Sequence, residues 1–64
     1  MCESNAFIKV GGKERLWLKD VVSLRPVGAE EWLVENLRGE QKIFRGSILG
    51  IDFLGHKLEL KPAK

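Results

Sequence analysis

Apolar and polar residues along the chain fall into short runs of alternating character separated by glycine-containing breaks, the pattern of a sheet rather than of helices. Residues 6–10 (Ala-Phe-Ile-Lys-Val) are followed by Gly11-Gly12, two residues able to take positive φ in a tight turn, and by the return run 14–18, with Leu16 and Leu18 on one face and Arg15 and Trp17 on the other. Lys19-Asp20 interrupts before 21–25, where Val22 and Leu24 share a face and Pro26 limits further pairing. Residues 31–35 carry glutamates that would suit a helix. The alternation of Trp32 and Val34 with Leu33 and Glu35, and the short span between Gly28 and Gly39, favour a strand.

Arg38-Gly39-Glu40 makes the next turn, 41–45 is a strand of similar length, and Gly46-Ser47 leads into 48–53, where Gly50 inside an apolar run predicts a bulge or bend. Leu54-Gly55-His56 turns the chain into the last strand, 57–61, with Leu58 and Leu60 inward and Pro62 as its stop. Six or so short strands with no convincing helix predict an all-β fold, a small antiparallel barrel of the SH3-like or OB-like kind, as one domain over residues 1–64.

Composition adds limits. At 64 residues the buried share of the surface is small, so stability is marginal without a staple or a partner, and a dimer is a reasonable expectation. No apolar run approaches the ~20 residues of a membrane span, and the start has neither the basic segment nor the apolar core of a secretory signal. A cytoplasmic protein is expected. The single cysteine, which cannot form an internal disulfide, agrees with a reducing compartment. The net charge of +2 comes from 11 basic and 9 acidic residues mixed along the chain, too balanced to mark a nucleic-acid footprint. Lys9, Lys13, Arg15, Lys42 and Arg45 could still form a patch, although acids such as Glu14 and Glu40 lie close in sequence.

Candidate chemistry concentrates at Met1-Cys2-Glu3. If Met1 is retained, its amine, the Cys2 amide nitrogen and the Cys2 thiolate can close two fused five-membered chelate rings. If it is removed, the Cys2 amine and thiolate still close one. Nitrogen with soft thiolate in a flat array suits square-planar Ni(II) or Cu(II), whereas Zn(II) asks for four tetrahedral ligands and more thiolates than one chain supplies. The competing reading is a free thiol with no assigned task. His56, the only histidine, is a second candidate ligand in a glycine-containing turn, where a solvated histidine is the commoner outcome. Phe7, Trp17, Leu33 and Phe44 fall on strand faces opposite the clearer core positions, which makes Trp17 and Phe44 candidate partner-binding residues, unless the curved sheet covers them. Neither a catalytic signature nor a phosphate-cradling loop is recognisable, so no enzyme activity is expected.

The Met1-Cys2 start, Asp20-Val21-Val22, Gly39-Glu40, Phe44-Arg45-Gly46 before Ile48, and Gly50-Ile51-Asp52 before Leu58-Glu59-Leu60 occur together in an order and spacing that resembles the CooT family. These are small nickel-binding accessory proteins associated with carbon monoxide dehydrogenase maturation. The resemblance covers essentially the whole chain. It implies Ni(II) bound through Cys2 at the interface of a homodimer, and a client nickel enzyme. One thiolate with its adjacent nitrogen fills half of a square-planar shell, and a two-fold axis would supply the other half. Proteins of this kind are also described as RNA-binding, for which Trp17, Phe7 or Phe44 would be the stacking aromatics. A third reading, a docking factor similar to HypC, which also begins Met-Cys on a small barrel, is weakened by Glu3-Ser4-Asn5 where that family continues with apolar residues and a proline.

Overall fold

A computed structural model describes residues 3–63. Five strands, β1 (Ser4–Val10), β2 (Lys13–Gly28), β3 (Glu31–Asn36), β4 (Gln41–Asp52) and β5 (Lys57–Pro62), follow one another in chain order around a closed barrel. Each consecutive pair is antiparallel. Five strands in this order bring the first and last together running the same way, so the seam between β1 and β5 is a parallel ladder from Asn5–Lys57 to Ile8–Leu60. The all-β barrel expected from the alternation is present, with one seam parallel.

Five strands stand where six or so were expected: of the seven alternating runs, two pairs are joined, because the predicted breaks between them are bends inside continuous strands. At the first, Asp20 takes a φ of 58° within the 16-residue β2. Its N–H donates to Asn5 Oδ1 at 3.1 Å and its carbonyl accepts from the Leu37 N–H at 2.8 Å, so the chain turns without losing its hydrogen bonds. At the second, Gly46 takes a φ of 149° within β4. Each long strand pairs with one neighbour before its bend and with the other after it, which is how a sheet this small closes. Gly50 marks a register shift, as its place in an apolar run predicted.

The core consists of Ala6, Leu18, Val21, Val34, Phe44, Leu58 and Leu60, with Ile8, Trp17, Leu24, Trp32 and Ile48 packed around it. Leu58 and Leu60 point inward as expected. Leu16 does not share the inner face with Leu18. Ala6 opposes Leu18 while Phe7 opposes Leu16, so Trp17 is the extra residue of a bulge, and the alternation reverses across it. The bend at Asp20 acts in the same way: Val21 is buried and Val22 is half exposed. Phe44 is a correction. It is 4% exposed, with its ring edge-on to Trp17 at a centroid distance of 5.4 Å, and it belongs to the core rather than to an open face.

Candidate metal centre

Met1 and Cys2, the proposed donors, lie outside the described residues; the structure shows the scaffold from which they extend. Asn5 fixes that point on both sides. Its N–H donates to the His56 carbonyl at 2.9 Å and its side-chain oxygen accepts from the Asp20 N–H. The start of β1 is thereby held between the bend of β2 and the β4–β5 turn, three residues after Cys2. Asn5 was not singled out from the sequence, where an asparagine at a strand start carries no signal of this kind.

His56 belongs to that turn. It is exposed, with a φ of 54°, and the β1–β5 register, taken one step back from Asn5–Lys57, sets it beside Ser4. Asp52 Oδ1 accepts from the Gly55 N–H at 2.9 Å and braces the turn. The parallel seam thus brings the only histidine to the end of the barrel where β1 starts. Among the described residues, no three His, Cys, Asp or Glu side chains are grouped as a metal site would require. A nickel site on this protein would therefore draw its soft donors from the Met1-Cys2 segment, and the flat N,S set available there fits the metal.

The same end is apolar. Phe53 is 79% exposed and Leu54 96%, with Leu49, Ile51 and Val22 about half exposed. A shallow depression of about 210 Å³ lies between Ser4, residues 21–24, Ile51 and Leu58. Two large apolar side chains project into water from this four-residue turn, an exposed apolar feature open to a partner. The Phe53-Leu54 pair beside Gly55 was the available signal in the sequence.

The other candidates separate. Trp17 is partly buried against the core, with Lys42 Nζ 4.8 Å from its ring centroid and donating to the Trp17 carbonyl at 3.4 Å. The five basic residues do not make one patch. Arg45 pairs with Glu31 at 3.0 Å, Lys9 approaches Glu59 at 4.0 Å, and Lys42 is held over Trp17. Lys57 donates to Glu14 at 2.8 Å. That hydrogen bond is the main cause holding the Glu14 carboxyl below its ordinary range and raising the Lys57 ammonium. These are structural pairs, and a nucleic-acid face built on the five cations is not assembled.

The described residues form a closed five-stranded barrel with one apolar end, an architecture that does not by itself assign a function. The family model described as CO dehydrogenase accessory protein CooT matches residues 1–61, and the chain belongs to that family. It is similar to the crystal structure of a putative CooT from Carboxydothermus hydrogenoformans, at 35% identity and a TM-score of 0.90, over 98% of this chain and 100% of that one. No curated protein matches the chain. Family membership assigns an accessory role toward CO dehydrogenase. No helix is long and apolar enough to cross a membrane among the described residues.

Proposed function

We propose that the chain is a nickel-binding accessory protein that holds Ni(II) through the Cys2 thiolate and adjacent terminal nitrogens, for the maturation of a nickel enzyme such as carbon monoxide dehydrogenase. The observation that carries this reading is the Met1-Cys2 start of a chain matched as CooT over residues 1–61. Two copies related by a two-fold axis complete a planar shell with one cysteine each. The apolar rim of Val22, Ile51, Phe53 and Leu54 around the start of β1 supports that arrangement, because a second copy seated there would cover it while bringing the two Cys2 residues together.

A metal titration combined with sedimentation tests the proposal. Ni(II) is expected to bind at about one ion per two chains, with thiolate-to-metal charge-transfer absorption. Binding should persist at high salt and weaken as pH falls, since coordination is short-range and the ligands must release protons. Cys2→Ser should abolish both the band and tight binding while leaving the β-sheet circular dichroism unchanged. Unaltered affinity in that variant, or micromolar RNA binding at physiological salt indifferent to it, would sink the nickel reading in favour of a free thiol or an RNA binder.

A further inference from the structure

A groove lies at the end of the barrel away from the start of β1. The β1–β5 ladder stops at Ile8–Leu60, and the next inward pair would set Val10 beside Pro62, which has no N–H to donate. The chain leaves β1 there and stays with β4, the Ala63 N–H donating to the Arg45 carbonyl at 3.1 Å. The gap left between the strands is a groove of about 410 Å³ lined by Ile8, Val10, Lys13, Arg15 and Pro62.

The two faces of the β1–β2 hairpin differ in charge balance. Ile8 and Val10 share the face of buried Ala6, and their cross-strand partners Arg15 and Lys13 lie on that same face. On the opposite face Lys9 faces Glu14, and both are engaged, Lys9 toward Glu59 and Glu14 with Lys57. Among the described residues, Lys13 and Arg15 have no carboxylate within 4.0 Å. The groove therefore combines an aliphatic floor with two uncompensated cations on its wall. Its complement is an aliphatic group flanked by carboxylates. No aromatic side chain lines it, so it offers no stacking platform for bases. Beyond Ile8, β1 also has no strand paired on the β5 side, which leaves room for an extended chain.

We propose that this groove docks an acidic, aliphatic segment of a partner protein, seating one apolar side chain on Ile8, Val10 and Pro62 and its flanking carboxylates against Lys13 and Arg15. The inference is independent of the metal and is tested without it, on full-length Cys2→Ser protein, so its failure and that of the nickel reading are distinguishable. The probe is a blocked hexapeptide of alternating glutamate and leucine, titrated into ¹⁵N-labelled protein. Saturable amide shifts are expected over Ile8–Arg15 and Lys61, with the spectrum at Phe53 and Leu54 unmoved. Lys13→Gln combined with Arg15→Gln, two exposed changes outside any ion pair among the described residues, should weaken binding at least about tenfold, and Val10→Asp should abolish it. The proposal is overturned by an absence of saturable shifts, by equal binding of the glutamine-for-glutamate peptide, or by unchanged affinity in the double variant. Tighter binding of oligouridylate at the same residues, or self-association in sedimentation that the double variant abolishes, would reassign the groove to RNA or to a second copy.

Discussion

Gly46→Ala isolates the bend on which barrel closure depends. At a φ of 149°, Gly46 lies in backbone space that L side chains rarely adopt, at a cost of about 1–3 kcal/mol. A Cβ there would also overlap the Lys61 carbonyl oxygen and stand 2.9 Å from the Phe44 ring and 3.0 Å from the Ala63 nitrogen. Two of those neighbours are backbone, so relief would mean parting β4 from β5 at the Gly46–Pro62 pair, and overpacking of this kind costs a further ~1–3 kcal/mol. A domain of this length has roughly 3–10 kcal/mol in total. Gly46→Ala should therefore lose at least about 3 kcal/mol, which in so small a domain lowers Tm by about 12 °C or more. Urea unfolding followed by circular dichroism and by tryptophan fluorescence reads the change, the latter because Trp32 Nε1–H donates to the Gly46 carbonyl at 3.2 Å. Gly50→Ala is the control. Nothing lies within 4 Å of its Cβ position and its φ is not positive, so the change should be neutral or stabilise by up to about 1 kcal/mol. A Gly46→Ala protein within 0.5 kcal/mol of the parent (roughly the scatter of a neutral surface change), or a Gly50→Ala protein just as damaged, would refute the account of the bend.

His56→Ala should leave nickel affinity within about threefold, less than a kcal/mol, if two Cys2 segments fill the planar shell; a loss near that of Cys2→Ser, measured by the same titration, would make His56 a ligand. Asn36→Ala should destabilise by about 2–3 kcal/mol, because its buried Oδ1 accepts from the Arg38 and Glu40 N–H groups at 3.1 and 2.9 Å; urea unfolding within 0.5 kcal/mol of the parent (a neutral change) would contradict this. Asn36 Nδ2 donating to Glu40 is also the main cause holding that carboxyl below its ordinary range, ahead of the Arg38 charge. The stabilisation linked to Glu40 is present above its unfolded-state value and fades as pH falls through the folded-state value. In Asn36→Ala, NMR titration should accordingly find the Glu40 carboxyl moved up toward its ordinary range.

Alternation and glycine spacing made the sheet legible, and β3 and β5 fall within a residue or so of their expected bounds because neither contains a bend. What sequence pattern did not reveal was continuity. Lys19-Asp20 and Gly46-Ser47 read as breaks, since a polar pair or a glycine between apolar runs looks the same whether the chain leaves the sheet or turns within it. Each bulge then reversed the alternation beyond it, which explains Leu16 and Val22 on the outside and Val21 on the inside. Phe44 was misread for a related reason: its inward position follows from its neighbours across the barrel, and single-strand alternation cannot supply those. At the candidate site, the chelating potential of Met1-Cys2 is local covalent chemistry and needs no fold to be seen. The anchoring by Asn5 joins residues 15 and 51 positions away and could not be read from any window of sequence.

Strand number has a consequence for where the start of β1 sits. In a barrel whose strands follow chain order, an even count makes the closing seam antiparallel and sets the start of the first strand beside the end of the last. An odd count makes the seam parallel and sets the start of the first strand beside the start of the last, hence beside the turn that precedes it. The count here is five, and the Asn5–Lys57 register follows. That register carries the segment after Cys2 to the β4–β5 turn, next to His56 and the exposed Phe53 and Leu54, and sends the β1–β2 hairpin with Lys13 and Arg15 to the opposite end.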